Sequence, residues 1–94
     1  MAQNTVLAAG TTAAVSTDIV IAAGAEVIVG VFSSVAANMP LGARFNILLD
    51  TPGSDQFIAK LDNEHRAQVL TGPGTYRVSR NAYTGAAFGV FSVT

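Results

Sequence analysis

An all-β fold, a compact antiparallel β-sandwich or jelly-roll-like barrel of about seven to eight short strands, follows from three features of this 94-residue sequence. β-Branched residues crowd its opening third. Four later stretches alternate apolar and polar side chains with a period of two. Turn-forming clusters separate these stretches at near-regular intervals. β-Branched side chains suit a pleated surface, period-two patterning marks half-buried strands, and turn signals every 8–12 residues or so are those of a sandwich or barrel.

The opening third needs a decision between helix and strand. Alanine is frequent there and favours helix. However, "TDIVI" and "EVIVGVF" are dense in β-branched residues, and Gly10, Gly24 and Gly30 interrupt any helical run. Thr17–Ile21 and Ala25–Phe32 therefore read as strands joined by a tight "AAG" turn, with Val6–Ala9 as an edge strand before them. In "ARFNILLDT", Phe45, Ile47 and Leu49 share one face. In "QFIAKLD", Phe57, Ala59 and Leu61 do the same, and Phe45, Phe57 and Phe88 are expected in the core. "TYRVSR" sets Tyr76 and Val78 opposite Arg77 and Ser79, and "AAFGVFSV" sets Phe88 and Val90 against Phe91 and Val93. "TPGS" offers the Pro-Gly pair of a type II turn, and "NEHR", "GPG" and "NAYTG" supply the other connections. Strand starts fall near 17, 25, 44, 56, 67, 75 and 86. Residues 17–94 form a single β-sandwich domain, preceded by an N-terminal arm or edge strand over residues 1–16.

Half of the residues are hydrophobic and 12% are charged, against a usual charged share of about 25%. A domain this small buries only about 60–65% of its unfolded surface, and contiguous apolar patches rarely stay exposed on monomers. Another chain is the expected sink for the surplus. Charge is also uneven: residues 1–43 carry two charged side chains, Arg44 to Arg80 carry nine, and residues 81–94 carry none. The first two strands are apolar on both faces, with Val27, Val29 and Val31 on one and Ile28 and Phe32 on the other. An antiparallel sandwich normally wets one face, so a neighbouring subunit is expected over the second. The expected interface residues are Val15, Ile19, Ile21, Val27, Ile28 and Phe32, joined by Phe91 of the charge-free last strand and by the loop aromatic Tyr83.

Several function classes drop out. Net charge is −1, so the basic footprint of a nucleic-acid binder and the polybasic patch of a lipid binder are both missing. There is no cysteine, hence no disulfide, thiolate metal site or cysteine nucleophile. The first basic residue is Arg44, so no secretory signal is expected. Ile19–Ala37 holds only one charge, but its glycines, serines and central Glu26 argue against a membrane span. His65 in "DNEHR" has no nucleophile motif to serve and reads as a solvated turn. Asp50 and Asp55 flank the "TPGS" turn, too few oxygens for Ca²⁺. Arg44, Arg66, Arg77 and Arg80 read as a mixed solvated face. No phosphate loop, zinc spacing or dinucleotide fingerprint appears. No enzyme activity and no cofactor are expected.

The start "MAQNTVLAAGTTAAVSTDIVIAAG", the low charge, and the ending from "LTGPGTYRVSR" to "GAAFGVFSVT" resemble small virion proteins of tailed bacteriophages, among them most closely the capsid decoration, or cement, proteins. The resemblance implies a β-rich domain seated as a homotrimer on the outer surface of the capsid, with the major capsid protein as partner and shell stabilisation as its role. Ala2–Ser16 is then expected to be an extended arm that orders on the shell. The alternative is a receptor- or glycan-binding module at a head-fibre or tail tip, using the loop residues Asn38, Asn63, Tyr83 and Thr84.

Overall fold

The computed structural model describes residues 3–35, 38–40 and 42–94, and among these it contains no helix. Nine strands follow one another: β1 (Gln3–Gly10), β2 (Ala14–Val15), β3 (Ile19–Ile21), β4 (Glu26–Phe32), β5 (Phe45–Asp50), β6 (Asp55–Leu61), β7 (Ala67–Thr71), β8 (Gly74–Arg80) and β9 (Phe88–Val93). Every pairing is antiparallel. Sheet I runs β1-β9-β4-β7. Sheet II runs β6-β5-β8, with β2 and β3 end to end along the free side of β8.

β2 and β3 are one edge strand broken at residues 16–18. Ser16 bridges the break: its N–H donates to the Val78 carbonyl at 2.8 Å, and its hydroxyl accepts from the Val78 N–H at 2.9 Å. With the broken strand counted once, the sheets hold eight strands in the orders 1-8-3-6 and 2-7-4-5. That is the two-sheet arrangement of a jelly roll. All connections but the β5–β6 hairpin at Thr51–Ser54 cross from one sheet to the other.

The "AAG" turn forms as the sequence predicts. Gly24 takes a φ of 80° and the Ala25 N–H donates to the Ala22 carbonyl at 3.1 Å. Instead of closing a hairpin, the turn lifts the chain from sheet II to sheet I. The "GPG" crossover packs directly against it, the Gly72 N–H donating to the Ala25 carbonyl at 3.0 Å. A Cβ on Gly72 would lie 2.8 Å from the Ile21 carbonyl oxygen and collide with the Ala22 carbonyl, backbone atoms that cannot rotate aside. Gly72→Ala is therefore expected to cost about 1–3 kcal/mol, the range for overpacking, read as a lower urea midpoint with unchanged m-value.

The core lies between the sheets. Phe45, Ile47, Leu61 and Val78 fill it from sheet II, and Val29, Val31, Phe88 and Val90 from sheet I. Of the two readings of residues 1–16, arm or edge strand, Gln3–Gly10 takes the second and is hydrogen-bonded to β9. Three other expectations are corrected by this packing. Met1 and Ala2 of that expected arm, and Ala36 and Ala37 of the weighed membrane span, lie outside the described residues. Ile21 and Val27 are buried among the core residues of this same chain, so neither is interface surface. Phe57 is 59% exposed. Ile47 pairs with Ala59 but Leu48 pairs with Phe57, which leaves Ile58 as an extra residue. Such a bulge turns every side chain beyond it to the opposite face. Finally, Arg80 is only 5% exposed. It shares its inward parity with Tyr76 and Val78, and its guanidinium ends on three backbone carbonyls: Thr12 at 2.7 Å, Ala8 at 2.8 Å and Phe88 at 3.1 Å.

Candidate docking surface

The outer face of sheet I is assembled from alternate residues of four strands. β4 contributes Ile28, Gly30 and Phe32. β9 sets Val93, Phe91 and Gly89 directly opposite them, and β7 sets Val69 beside Ile28. Gln3 and Thr5 of β1 complete the row at the edge, opposite Val93 and Phe91. Each of the two large rings is paired with a glycine: Phe91 with Gly30 and Phe32 with Gly89. The missing side chain at Gly30 makes room for the Phe91 ring, and the one at Gly89 makes room for the β1 backbone at Leu7 to Ala9. A Cβ at Gly30 would sit 3.0 Å from the Phe91 ring. The two rings meet edge to face, centroids 6.2 Å apart at 77°, the arrangement aromatic pairs prefer.

Ile28 remains 44% exposed and Val69 47%. Two shallow open depressions flank them. One, of about 380 Å³, is lined by Gln3, Asn4, Thr5, Phe32 and Phe91. The other, of about 240 Å³, is lined by Glu26, Ile28, Val69, Val93 and Thr94. Among the described residues of this face the one charged side chain is Glu26, at the rim.

The outer face of sheet II differs. It carries Val15, Val20, Phe57 and Ile58 as exposed apolar residues, but Arg77 crosses it. The Arg77 Nε donates to Asp18 at 2.7 Å, and its Nη1 donates to both Asp55 oxygens at 2.7 and 2.9 Å. Asp55 first, then Asp18, hold this guanidinium protonated to higher pH than an isolated one. Asp50 does stand opposite Asp55 across the hairpin, and the countercharge on Asp55 comes from Arg77. No group of three or more metal-binding side chains occurs among the described residues. His65 lies in the exposed β6–β7 turn with its Nε2 2.9 Å from Gln68. Asp62 caps that turn, and its carboxyl pKa is lowered by the backbone N–H of Glu64 and then of His65.

The residues expected at an interface are thus divided. Ile28, Phe32 and Phe91 come together on the sheet I face. Val15 is exposed on the other side of the molecule, opposite Ser79. Ile19 is half-buried against the core, and Ile21 and Val27 belong to it. Tyr83 is turned inward: its hydroxyl lies 2.7 Å from the Ala86 carbonyl and 3.0 Å from that of Gly10, and accepts from the Phe88 N–H at 2.9 Å. Its polar end is therefore occupied within the chain. Val69 was missed as a surface residue; its alternation with the buried Leu70 is the signal that places it outside. Comparison of the chain with protein-family models, with curated proteins and with solved structures finds no match.

Proposed function

We propose that this chain is a structural assembly protein that docks the outer face of sheet I on a protein shell, in the manner of a bacteriophage capsid decoration protein. The major capsid protein is the partner and the outer surface of the virion the location. One observation carries the reading: Ile28, Phe32, Val69, Phe91 and Val93 form a single apolar field on a rigid sheet, with a charge only at its rim. Contiguous surfaces of this kind mark protein contacts, and depletion of charge at the centre with aromatics present is the composition of an interface core. The jelly-roll order supports the reading, because capsid domains are among the proteins built this way, although a fold alone assigns no function.

The test is cosedimentation with assembled capsids. The chain is expected to pellet with the shells in many copies per particle and to raise their melting temperature. Ile28→Lys is expected to leave the chain folded and in the supernatant, since it places a charge at the centre of the field. A chain that does not pellet, or an Ile28→Lys variant that pellets equally, overturns the reading.

Recognition of a glycan or receptor is a second reading with one observation in its favour. The β4–β5, β6–β7 and β8–β9 connections, which hold Asn38, Asn63, Tyr83 and Thr84, all leave the sandwich at one end. Copy number separates the two readings: a tip module is present in few copies per particle, and its binding would respond to Asn63→Ala and Thr84→Ala but not to Ile28→Lys.

A further inference from the structure

Among the described residues four strand edges are open: β1 and β7 in sheet I, and β6 and the broken β2/β3 strand in sheet II. An open edge is a template for another strand, and charged residues, bulges and short or interrupted strands are the usual protections against it. Three of the four edges are protected. β6 carries Asp55, Lys60 and the Ile58 bulge. β2/β3 is interrupted, with Asp18 in the break. β7 is uncharged, but its carbonyls at Val69 and Thr71 accept from the Gln68 side chain at 3.1 Å and the Tyr76 hydroxyl at 2.7 Å.

β1 is irregular beyond Thr5, but its opening segment Gln3–Thr5 carries no charge and no bulge, and its register with β9 is regular. Which of its backbone groups are free follows from ladder parity. Gly72 donates to Ala25 and Val31 to Arg66, so the odd-numbered residues of β4 bond to β7 and the even-numbered ones to β9. On β9, Phe91 and Val93 then bond to β4, which leaves Ser92 to bond to Asn4. The N–H and C=O groups of Gln3 and Thr5 therefore point away from the sheet.

We propose that this edge pairs with the same segment of a second copy, antiparallel about a two-fold axis at Asn4, so that the two copies of sheet I join into one sheet. The second copy is the fitting occupant because the segment is its own complement. With Asn4 opposite Asn4, the free groups of Gln3 meet those of Thr5 in the other copy, and no charge is brought against a like charge. A three-fold ring closed through the edges of sheet I would instead set β1 of one copy against β7 of the next, where the carbonyls of Val69 and Thr71 each already accept a side-chain hydrogen bond. The pairing thus favours a dimer over the trimer that the resemblance implies. It concerns the edge of sheet I and goes beyond the docking reading, holding whatever the outer face binds. Its consequence for docking is that two apolar fields lie side by side, which raises avidity.

Sedimentation equilibrium of the isolated chain tests the pairing without any capsid. The expected mass at micromolar concentration is twice the 9.6 kDa of one chain. Thr5→Pro deletes an N–H that takes no part in the β1–β9 ladder, so the fold is expected to stay intact. The dissociation constant is expected to rise about thirtyfold, two hydrogen bonds being lost per dimer. A wild-type chain that stays single, or an assembly that Thr5→Pro leaves unchanged, overturns the pairing. Should Thr5→Pro alter the melting curve, charge exchange replaces it. Gln3→Lys/Thr5→Lys and Gln3→Glu/Thr5→Glu are each expected to be monomeric alone and to form a mixed dimer together, and a mixture that remains monomeric overturns the pairing.

Discussion

Phe45→Ala is expected to lower the unfolding free energy by about 3–5 kcal/mol, while Phe57→Ala, twelve positions removed from it in β-structure of the same pattern, changes it by about 0.5 kcal/mol or less. The two rings look alike in the sequence, each opening an alternating stretch. In the fold Phe45 is fully enclosed, paired with Leu61 on one side and Arg80 on the other. Removing it leaves a cavity between the two sheets that strand pairing prevents from collapsing. Phe57 stands on the outer face of sheet II opposite Leu48. Domains of this class have about 5–15 kcal/mol of total stability, so Phe45→Ala removes a large share of it. Urea denaturation of both variants by circular dichroism checks the difference. Equal losses for the two would mean that the bulge at Ile58 is absent and that the period-two register runs unbroken through β6.

That pair of residues marks where the sequence stops being legible. Parity within a strand is readable wherever one face is wet. It separates Val27, Val29 and Val31 from Ile28 and Phe32, and Phe88 and Val90 from Phe91 and Val93, and the structure keeps both divisions. Parity does not say which of two apolar sets faces inward, so Val27 and Ile28 were both open to an interface assignment although only one set can be outside. A bulge is invisible for a related reason: inserting Ile58 changes the pairing without leaving a turn residue or a charge to mark it. Strand order is illegible because a short turn spans either the roughly 4.8 Å between paired strands or the roughly 10 Å between packed sheets. "AAG" reads as a tight turn joining two strands and "GPG" as a connection, and both are crossovers between the sheets. Tyr83 is illegible because its hydroxyl reaches the Gly10 carbonyl across 73 positions of sequence.

The sheet I face was legible in outline because two unrelated signals converge on it. β4 is apolar on both faces, and the last strand is uncharged. A sheet that only needed a core would gain nothing from rings on its wet side. Packed edge to face, the two rings instead extend the apolar field of Ile28, Val69 and Val93, and the depressions beside them are open. The contrast with sheet II is electrostatic. Arg77 with Asp18 and Asp55 spreads charge across that face, and desolvating those groups against a partner would cost more than their exposed apolar neighbours return.

Arg80→Met is expected to destabilise the chain by about 3 kcal/mol or more, the second large effect and the one that links the interior to the β1 edge. Methionine fills most of the volume but donates nothing, so the buried Phe88 carbonyl and the part-buried carbonyls of Ala8 and Thr12 lose their shared donor. A buried acceptor left unpaired costs about 1–3 kcal/mol, and hydrogen bonds from a charged donor lie at the strong end. Arg80→Lys is expected to fall between the two, because an ammonium keeps the charge but lacks the planar fork that reaches several carbonyls at once. The damage should be uneven. Ala8 and Thr12 lie in β1 and just beyond it, where the β1–β9 register is already irregular after Thr5. The guanidinium ties that half of the strand to β8 and β9, together with the Tyr83 hydroxyl at the Gly10 carbonyl. Hydrogen exchange of Arg80→Met is therefore expected to show early loss of protection at the β1 amides, with Val29, Val78 and Val90 still protected. Uniform loss across both sheets would mean that Arg80 supports the whole core and not the β1 edge in particular.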